Sequence, residues 1–521
     1  MFDSTLERLP CNEMKLANKK LLVHLMVEKN SPLLCVSPRA TVSSDGSQVK
    51  LCHKLVASDD GREARSLVSA NRFRDIAAME AAVSTEDRRQ QQQQQNWHVP
   101  ASRFSKKTFN PIRSIIESMD IAPNPEKPMI ALSIGDPTVF GNLGPPEEAI
   151  DAIVDTVRGA AFNGYAPSTG AKKILNPTNS KKKCAGIIQQ KKQWPRTALS
   201  SSTDSKLGAL DLCISVLCDP GQNLLVPRPG FPLYQTLSEG LGIQTKHYRL
   251  LPERGWEVDL EDVAALVDDN TAAILINNPS NPCGSVFSRQ HLQQILELAE
   301  RFRLPIIADE IYDRFVFPGE PGNENKFYPL SSLTNTVPIL SCGGLTKRFM
   351  VPGWRMGWIL VCDRNGILND VRHGLQSLSQ RTIGSNTIVQ GALPKIVAET
   401  PPDFFDEAIA QVQENAAVSF EYLASVPGLR PVKPSGAMYM MVGIDMEQFP
   451  EFTSDLHFVE RLVAEQSVFC LPGKCFNVDN YVRVVLTVPL EQMREACVRI
   501  AEFCATHRHS HPPLPPGPLK N

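Results

Sequence analysis

The sequence lacks the features that mark several classes of protein. No apolar run approaches the roughly 18 residues that a membrane span needs, and the longest one near the N-terminus, residues 21–27, contains His24. Lys and Arg number 54 and Asp and Glu number 56, so the formal net charge is −2. This balance gives no electrostatic basis for binding nucleic acid or an anionic membrane. We therefore expect a soluble protein with neither as its partner.

Certain cysteine and glycine patterns are missing as well. The 13 cysteines are an odd number and include no C-x-x-C pair, which argues against a disulfide framework or a metal site and favours a reducing compartment. The acidic start and the missing cleavage site argue against secretion, so we expect a cytoplasmic protein. Neither G-x-G-x-x-G nor G-x-x-x-x-G-K-[ST] occurs, which disfavours dinucleotide and nucleoside-triphosphate sites.

Low-complexity segments are found at both ends. Residues 1–102 are weakly periodic and include six consecutive glutamines, Gln90 to Gln95, which is typical of a disordered leader, although polyglutamine can also mediate association. Residues 507–521 are rich in proline. Their three histidines could bind a metal ion, but this composition favours a solvated tail.

Strand and helix patterns alternate between these ends. Apolar runs at residues 272–276 and 305–308 predict two strands, with a helix between them that Ser288 caps. Short connections in a strand–helix–strand order are typical of a parallel βαβ unit. Further strands are expected at residues 337–341 and 358–361, so we predict an α/β fold. The expected apolar face of the helix consists of Leu292, Ile295, Leu296, Ala299 and Phe302.

Polar segments follow three of these strands, namely NNPSNPCG at residues 277–284, ADEIY at 308–312 and SCGGLTKRFMVPGWR at 341–355. Ligands of parallel sheets bind beyond the carboxyl ends of the strands. The three segments are therefore expected to form one site. Each segment alone is weak evidence, because strand-ending Asp residues, Asn-Pro turns and single lysines are common in ordinary structure.

The spacing of these segments resembles that of fold type I, class I pyridoxal-phosphate aminotransferases. Asp309 follows Asn281 by 28 residues, Lys347 follows Asp309 by 38, and Arg355 follows Lys347 by 8. Longer strings are similar to those of family members that act on tyrosine: KKTFNPIR, ALSIGDPTVFGNL, NGYAPS, PGQNLLVPRPGF and PSGAMYMMVGI. The resemblance implies pyridoxal 5′-phosphate as cofactor and a large domain built on a mostly parallel, seven-stranded sheet beside a smaller α/β domain.

The resemblance assigns cofactor chemistry to five polar residues. Lys347 matches the lysine that forms a Schiff base with the cofactor aldehyde and, once freed, acts as the general base. Asp309 matches the carboxylate that keeps the pyridine nitrogen protonated. Tyr312 and Asn281 match the two groups that hydrogen-bond the phenolic oxygen, and Asn281 is also expected to contact substrate. Arg355 matches a phosphate-binding arginine.

Further residues receive roles in stacking, assembly and substrate binding. Phe231 matches the aromatic residue that stacks on the pyridine ring, and Thr346 has the position of hydroxyls that approach the phosphate in relatives. Tyr165 matches a tyrosine that reaches the phosphate of the neighbouring subunit, which implies a homodimer with shared active sites. Arg483 matches the arginine that binds the substrate α-carboxylate. Gly135 matches a glycine that lies close to that carboxylate.

Without the resemblance, Arg483 would be read as an ordinary residue on the alternate face of a strand. The implied activity is ping-pong transamination of L-tyrosine with 2-oxoglutarate to 4-hydroxyphenylpyruvate and L-glutamate, the first step of tyrosine breakdown. Two alternatives stay open: an aminotransferase or carbon–sulfur lyase of the same family with another substrate, and a catalytically impaired chain.

The second alternative arises because the similarity stops between residues 169 and 207. The family has a Ser-Gly-Cys-Ser turn here that cradles the cofactor phosphate. This chain instead has seven Lys and one Arg between residues 171 and 203, with no Asp or Glu and no helical or strand period. Thr203, Asp204 and Ser205 occupy the place of the turn, where Asp204 would repel a phosphate. Three interpretations remain: a stretch that is not native protein, an isoform with an altered phosphate site, or a functional insertion such as a basic docking loop.

The expected domains follow from the resemblance. Residues 145–395 should form the large cofactor-binding domain, and residues 103–144 and 396–506 the small domain, with substrate between them. Helices at residues 458–466 and 491–506 should cover the smaller sheet. The apolar face of the second helix consists of Met493, Cys497, Ile500, Ala501 and Cys504.

Overall fold

The chain divides after Val99 into two units of structure, which are described separately. In the first unit, β1 (Arg39–Val42) and β2 (Val49–Cys52) form an antiparallel hairpin. The polyglutamine tract lies outside the described residues. This computed structural model describes residues 39–42, 49–52, 100–119, 121–170, 200–203, 206–319 and 325–509.

The second unit contains a mostly parallel sheet whose eight strands are β4 (Ser200–Thr203), β5 (Asn223–Arg228), β6 (Gln244–Leu251), β7 (Glu257–Val258), β8 (Thr271–Asn277), β9 (Ile306–Asp309), β10 (Ile339–Gly344) and β11 (Gly357–Cys362). Their spatial order is β4-β11-β10-β9-β8-β5-β6-β7. The five neighbours from β10 to β6 are parallel, whereas β11 and β7 each run antiparallel to the strand beside them. The predicted α/β fold is confirmed. The eighth strand arises because β7 folds back on β6.

Helices cover both faces of this sheet. Along β8, Ile274 and Ile276 face one apolar cluster while Ala273 and Leu275 face another, because successive side chains of a strand point to opposite faces. On one face lie α6 (Leu260–Leu266) and α7 (Arg289–Arg301), and on the other lie α4 (Lys206–Leu217), α5 (Leu233–Gly240) and α9 (Asn369–Ser379).

The βαβ unit of β8, α7 and β9 is confirmed. Ser288 caps α7, and its hydroxyl accepts a hydrogen bond from the backbone N–H of His291 at 3.1 Å. β8 and β9 are parallel neighbours. Four of the five residues predicted for the apolar face are buried within α7, and Phe302 follows as its C-terminal cap.

Strand β4 is a feature that the sequence does not predict. It pairs antiparallel with β11, with Thr203 opposite Gly357 and Ser200 opposite Leu360. Its serine-rich sequence carries no apolar alternation, so backbone pairing with β11, rather than a side-chain pattern, determines its place at the edge of the sheet. α4 begins at Lys206, three residues after β4 ends. Residues 171–199 and 204–205 lie outside the described residues.

A smaller antiparallel sheet has the order β12-β13-β16-β15. Its strands are β12 (Leu429–Pro431), β13 (Tyr439–Ile444), β15 (Leu471–Pro472) and β16 (Tyr481–Val485). Three helices pack on it through a shared apolar cluster: α11 (Pro402–Ala424), α12 (Asp455–Gln466) and α13 (Leu490–His507). The two helices predicted here are confirmed. In addition, β3 (Ile130–Ala131) pairs in parallel with β14 (Val468–Phe469), which joins an early segment to this region.

Helix α13 extends one residue into the expected tail. His507 is its last residue and is buried, with its ring nitrogens 2.6 Å from a Glu451 oxygen and 2.7 Å from a Glu465 oxygen. The two carboxylates hold the end of the helix in place, which explains why His507 is not part of a solvated tail. Residues 510–521 lie outside the described residues.

The remaining helices are α1 (Arg103–Lys107), α2 (Pro111–Ser118), α3 (Glu147–Arg158), α8 (Leu345–Arg348) and α10 (Thr387–Glu399). α3 packs against α10 through an apolar cluster that includes Ala149, Ala152 and Ile396. Within the described ranges, no helix has both the length and the apolar character needed to cross a membrane.

The buried Asn415 of α11 provides a test of how the small sheet is held. Its side-chain amide donates to the carbonyls of Leu486 at 3.0 Å and Val488 at 2.7 Å. Asn415→Ala leaves two buried carbonyls without this donor, so we expect urea denaturation to show a loss of about 2 to 4 kcal/mol in the free energy of unfolding. Gln411→Ala, one turn earlier and exposed, should change it by less than about 0.5 kcal/mol. Equal losses in the two variants would contradict this account.

Candidate active site

Three neighbouring parallel strands of the large sheet end side by side, so that their carboxyl ends form one edge of the sheet. Asn277 at the end of β8 lies opposite Asp309 at the end of β9, and Asp309 lies opposite Cys342 of β10. Asn281, Tyr312 and Lys347 follow these strand ends in the chain. The structure therefore brings the three polar segments to one edge, as the sequence predicts.

Asp309 is a fully buried carboxylate with a defined donor. The hydroxyl of Tyr234 donates to its Oδ2 at 2.7 Å. Burial, together with the nearby Asp309 carboxylate, raises the pKa of Tyr234 well above its ordinary value, so the phenol keeps its proton and remains a donor. Phe231 packs edge-on against Tyr234, with ring centroids 5.7 Å apart. Tyr234 therefore contacts both Asp309 and Phe231. The sequence analysis does not assign this tyrosine to the site.

Lys347 projects from α8, the short helix that follows β10. Its Nζ donates a hydrogen bond to the backbone carbonyl of Gly135. The next residue, Arg348, is buried and forms an ion pair with Asp313 at 3.2 Å, which anchors this helix. The hydroxyl of Thr346 is buried and has no hydrogen-bond partner among the described residues.

Tyr312 meets a second tyrosine, Tyr439 of β13, that the sequence interpretation did not assign to the site. Their hydroxyl oxygens lie 2.8 Å apart, and their rings are perpendicular with centroids 5.8 Å apart. Both side chains are buried. Burial, and to a lesser degree the neighbouring phenol, raises the pKa of Tyr312 well above its ordinary value, so the Tyr312 hydroxyl stays protonated near neutral pH.

Arg483 of β16 is a buried guanidinium, only 3% exposed. Its Cζ atom lies over the rings of Tyr439 and Phe476, 4.3 and 5.0 Å from the ring centroids. At its edge, Nη1 donates to Asn281 Oδ1 at 3.0 Å and Nη2 to the carbonyl of Ser133 at 2.8 Å.

This guanidinium lacks an anionic partner in the described part of the chain. No described Asp or Glu forms an ion pair with Arg483, and its buried Nε has no hydrogen-bond partner there. A buried cation normally needs a paired anion, since removal from water is costly. The arrangement is therefore suited to an anionic ligand that presents two oxygens, such as a carboxylate.

Gly135 lies where these groups converge. A Cβ at this position would be 2.8 Å from the hydroxyl oxygen of Tyr439, closer than normal packing allows. The absence of a side chain therefore keeps space beside Tyr439, and the Gly135 carbonyl orients Lys347.

Two of the residues predicted to bind phosphate lie at the protein surface. Arg355 is exposed and has a left-handed backbone, with φ of 52°, and its Nη1 donates to the carbonyl of Pro352 at 3.2 Å. Tyr165 is 91% exposed. The two residues that separate β4 from α4, Asp204 and Ser205, are outside the described residues.

The described residues fit pyridoxal 5′-phosphate. A buried carboxylate suits a protonated ring nitrogen, a lysine amine suits an aldehyde, and the unpaired Thr346 hydroxyl offers a donor for a phosphate. No cluster of three or more His, Cys, Asp or Glu residues in the described part of the chain could hold a metal ion.

Glu310, directly after Asp309, is a second acid at this edge. Ser341 Oγ donates to its Oε2 at 2.5 Å, and the backbone N–H of Leu330 donates to its Oε1 at 2.9 Å. Burial raises the pKa of Glu310 to about 7. Because the folded-state pKa is above the ordinary value of 4.5, the folded state is penalised progressively as pH rises from 4.5 to about 7.

Replacing Glu310 by Gln keeps the shape of the side chain and removes this titration. We expect the variant to gain stability relative to the wild type as pH rises from 4.5 to about 7, with a constant difference above that range. Urea denaturation of both proteins at several pH values measures the difference. Glu253→Gln, at an exposed position, should show no such trend. A difference for Glu310→Gln that does not vary with pH would refute the assignment.

The chain is similar to known proteins over most of its length. The family model described as Aminotransferase class I and II matches residues 127–500. Tyrosine aminotransferase from Homo sapiens is 53% identical over 414 residues, which cover 79% of this chain and 89% of that protein. Tyrosine aminotransferase from Dictyostelium discoideum is 44% identical over 427 residues, covering 80% and 98% of the two chains.

Two solved structures show the same fold. Tyrosine aminotransferase from Leishmania infantum has a TM-score of 0.73 at 32% identity, and the match covers 79% of this chain and 100% of that chain. Alanine aminotransferase from Pyrococcus furiosus has a TM-score of 0.69 at 27% identity, covering 78% and 100%. The predicted fold type I architecture and the pyridoxal-phosphate cofactor are confirmed. This chain belongs to the aminotransferase class I and II family and is a pyridoxal-phosphate-dependent aminotransferase.

Proposed function

We propose that this enzyme transfers the amino group of L-tyrosine to 2-oxoglutarate, giving 4-hydroxyphenylpyruvate and L-glutamate, the first step of tyrosine breakdown. The tyrosine aminotransferases of Homo sapiens, Bos taurus and Mus musculus, at 53%, 53% and 51% identity, support this choice of substrate. Phenylalanine shares the α-carboxylate, the amine and the ring, and serves as a poorer donor.

The observation that carries the proposal is the buried guanidinium of Arg483, which has no acidic partner among the described residues. The α-carboxylate is common to tyrosine, glutamate and both keto acids, so one arginine serves both halves of the reaction. A carboxylate that lies in the guanidinium plane accepts two hydrogen bonds from its N–H groups. Asn281 and the Ser133 carbonyl hold the fork in place.

Bound pyridoxal 5′-phosphate supplies an electron sink for the charge that develops at the substrate Cα. We assign to Lys347 the nucleophilic amine that holds the aldehyde and later accepts the Cα proton on Nζ. The Gly135 carbonyl orients that amine. We assign to Asp309, fixed by Tyr234, the task of keeping a proton on the ring nitrogen. The other residues assigned to the cofactor are Asn281, Tyr312, Phe231, Thr346, Arg355 and Tyr165.

A homodimer with shared active sites is part of the proposal. Tyr165 is 91% exposed and Ile383 61% exposed. The loops that carry them are adjacent, since the Ser379 hydroxyl donates to Ser168 Oγ at 2.9 Å. Two large exposed side chains on adjoining loops favour a protein contact there. Tyr165 of each subunit would then reach the phosphate held by the other.

We propose that the large domain comprises residues 145–395 and that the small domain comprises residues 103–144 and 396–506. Nine cysteines in the described residues are free and all are buried, which suits a reducing compartment, so we place the enzyme in the cytoplasm.

Substrate preference is tested by steady-state kinetics with 2-oxoglutarate as acceptor. We expect the highest kcat/KM for L-tyrosine, a lower value for L-phenylalanine and the lowest for L-alanine and L-kynurenine. Arg483→Lys keeps the charge but loses the planar fork, and should lower kcat/KM by about tenfold or more for every donor. Faster turnover of alanine or kynurenine, or release of a thiol from a cysteine conjugate, would replace tyrosine transamination by the other reaction.

Shared active sites are tested by mixing two inactive variants. Lys347→Ala removes the amine, and Tyr165→Asp places a negative charge where the neighbouring phosphate is expected. In a mixed dimer, one site carries both changes and the other carries neither. With random exchange, about a quarter of all sites should regain wild-type activity. If each site is built within one chain, mixing will restore nothing.

A further inference from the structure

Tyr439 contacts three residues that the proposed function uses, yet it has no role there itself. Its hydroxyl lies 2.8 Å from that of Tyr312, its ring lies 4.3 Å from the guanidinium of Arg483, and its hydroxyl borders the space beside Gly135. The side chain is only 2% exposed. It is therefore a structural link between the residues assigned to the cofactor and those assigned to the carboxylate.

The sheet register fixes this link. β13 and β16 are antiparallel, with Met441 opposite Arg483 and Tyr439 opposite Val485. Tyr439 is thus the diagonal neighbour of Arg483 on the same face, within the reach of an aromatic side chain. Its backbone carbonyl is closely packed, since a Cβ on Gly284 would lie 2.3 Å from it. Tyr439 therefore projects from a closely packed strand.

The ring of Tyr439 is one of two aromatic rings that contact the guanidinium of Arg483. The Cζ atom of Arg483 is 4.3 Å from the ring centroid of Tyr439 and 5.0 Å from that of Phe476. Both rings stabilise the guanidinium charge through cation–π attraction. Together with the hydrogen bonds to Asn281 and to the Ser133 carbonyl, these contacts fix the orientation of the guanidinium that a carboxylate meets.

The hydroxyl of Tyr439 has a separate consequence for Tyr312. A phenol carries one proton, and Tyr312 uses it when it donates to the phenolic oxygen of the cofactor. The hydrogen bond between the two tyrosines then requires Tyr439 to be the donor. Donation to the Tyr312 oxygen polarises that phenol and makes it a stronger donor in turn.

We propose that Tyr439 is a positioning residue with two separable tasks: its ring sets the plane of Arg483 for the substrate carboxylate, and its hydroxyl strengthens the hydrogen bond that Tyr312 gives to the cofactor. The proposal rests on the roles assigned above to Arg483 and Tyr312. It names a connection between cofactor and substrate sites that runs through a single side chain.

Three variants of the cofactor-loaded enzyme separate the tasks. Tyr439→Phe keeps the ring and removes the hydroxyl. Phe476→Leu removes the other ring that contacts Arg483 and keeps the Tyr439 hydroxyl. Tyr439→Leu removes both the ring and the hydroxyl of Tyr439. Two quantities are measured: the Kd of 3-phenylpropionate, an unreactive carboxylate, and the pKa of the visible chromophore that the cofactor forms with Lys347. Phe420→Leu, on α11, is the control for loss of an aromatic ring elsewhere.

Each variant has its own expected signature. Tyr439→Phe should raise the chromophore pKa by about 0.5 or more, because its phenolic oxygen loses stabilisation, and leave Kd within about twofold. Phe476→Leu should raise Kd by about three- to tenfold without changing that pKa. Tyr439→Leu should change both, and the control neither. A general loss of folding would change Kd and the chromophore pKa together, so it would not produce these separate effects.

Opposite results would overturn the inference. An unchanged chromophore pKa in Tyr439→Phe would remove the hydroxyl task, and an unchanged Kd in both leucine variants would remove the ring task. If the wild type forms the chromophore and tyrosine bleaches it while all variants behave like the wild type, only the role of Tyr439 fails. If the wild type forms no chromophore, or forms one that tyrosine does not bleach, both the proposed function and the role of Tyr439 fail.

Discussion

Burying a guanidinium is unfavourable unless the protein or a ligand supplies negative charge and hydrogen-bond acceptors. Arg483 is 3% exposed, and the acceptors that it meets at its edge are an amide oxygen and a carbonyl. Neutral acceptors and two neighbouring aromatic rings make the burial tolerable and leave a preference for an anion. Strand β16 and the Ser133 carbonyl keep this charge in position, and in the proposed function a substrate carboxylate supplies the missing anion.

The large sheet contributes the complementary chemistry. Its parallel strands end in register, so that Asp309 and the segment leading to Lys347 meet at one edge. Lys347 and Arg483 reach a common region from different sheets: the carbonyl of Gly135 accepts from Lys347, and that of Ser133 accepts from Arg483. A short loop after β3 thus contacts both Lys347, to which we assign the reacting amine, and Arg483, to which we assign carboxylate binding. This geometry is required if one bound amino acid is to engage both groups.

Much of this architecture could be predicted from sequence, because its elements have strong local signals. The periodicity and cap of α7 and the apolar runs of β8 and β9 predict the βαβ unit directly. The roles of individual site residues instead came from resemblance. Tyr234 and Tyr439 were missed because their contacts depend on packing and strand register between distant segments, which local pattern does not encode. β4 was missed because an edge strand held by backbone pairing needs no apolar alternation.

Tyrosine transamination at Lys347 is tested most directly by the visible absorption spectrum of the purified, dialysed enzyme after incubation with pyridoxal 5′-phosphate, recorded before and after addition of L-tyrosine. We expect a retained band that is absent in Lys347→Ala and that L-tyrosine bleaches, which would also show that residues 171–203 are compatible with cofactor binding. A folded protein that retains no band, or whose band persists in Lys347→Ala or is unchanged by tyrosine, would refute the proposed role of Lys347 and of tyrosine.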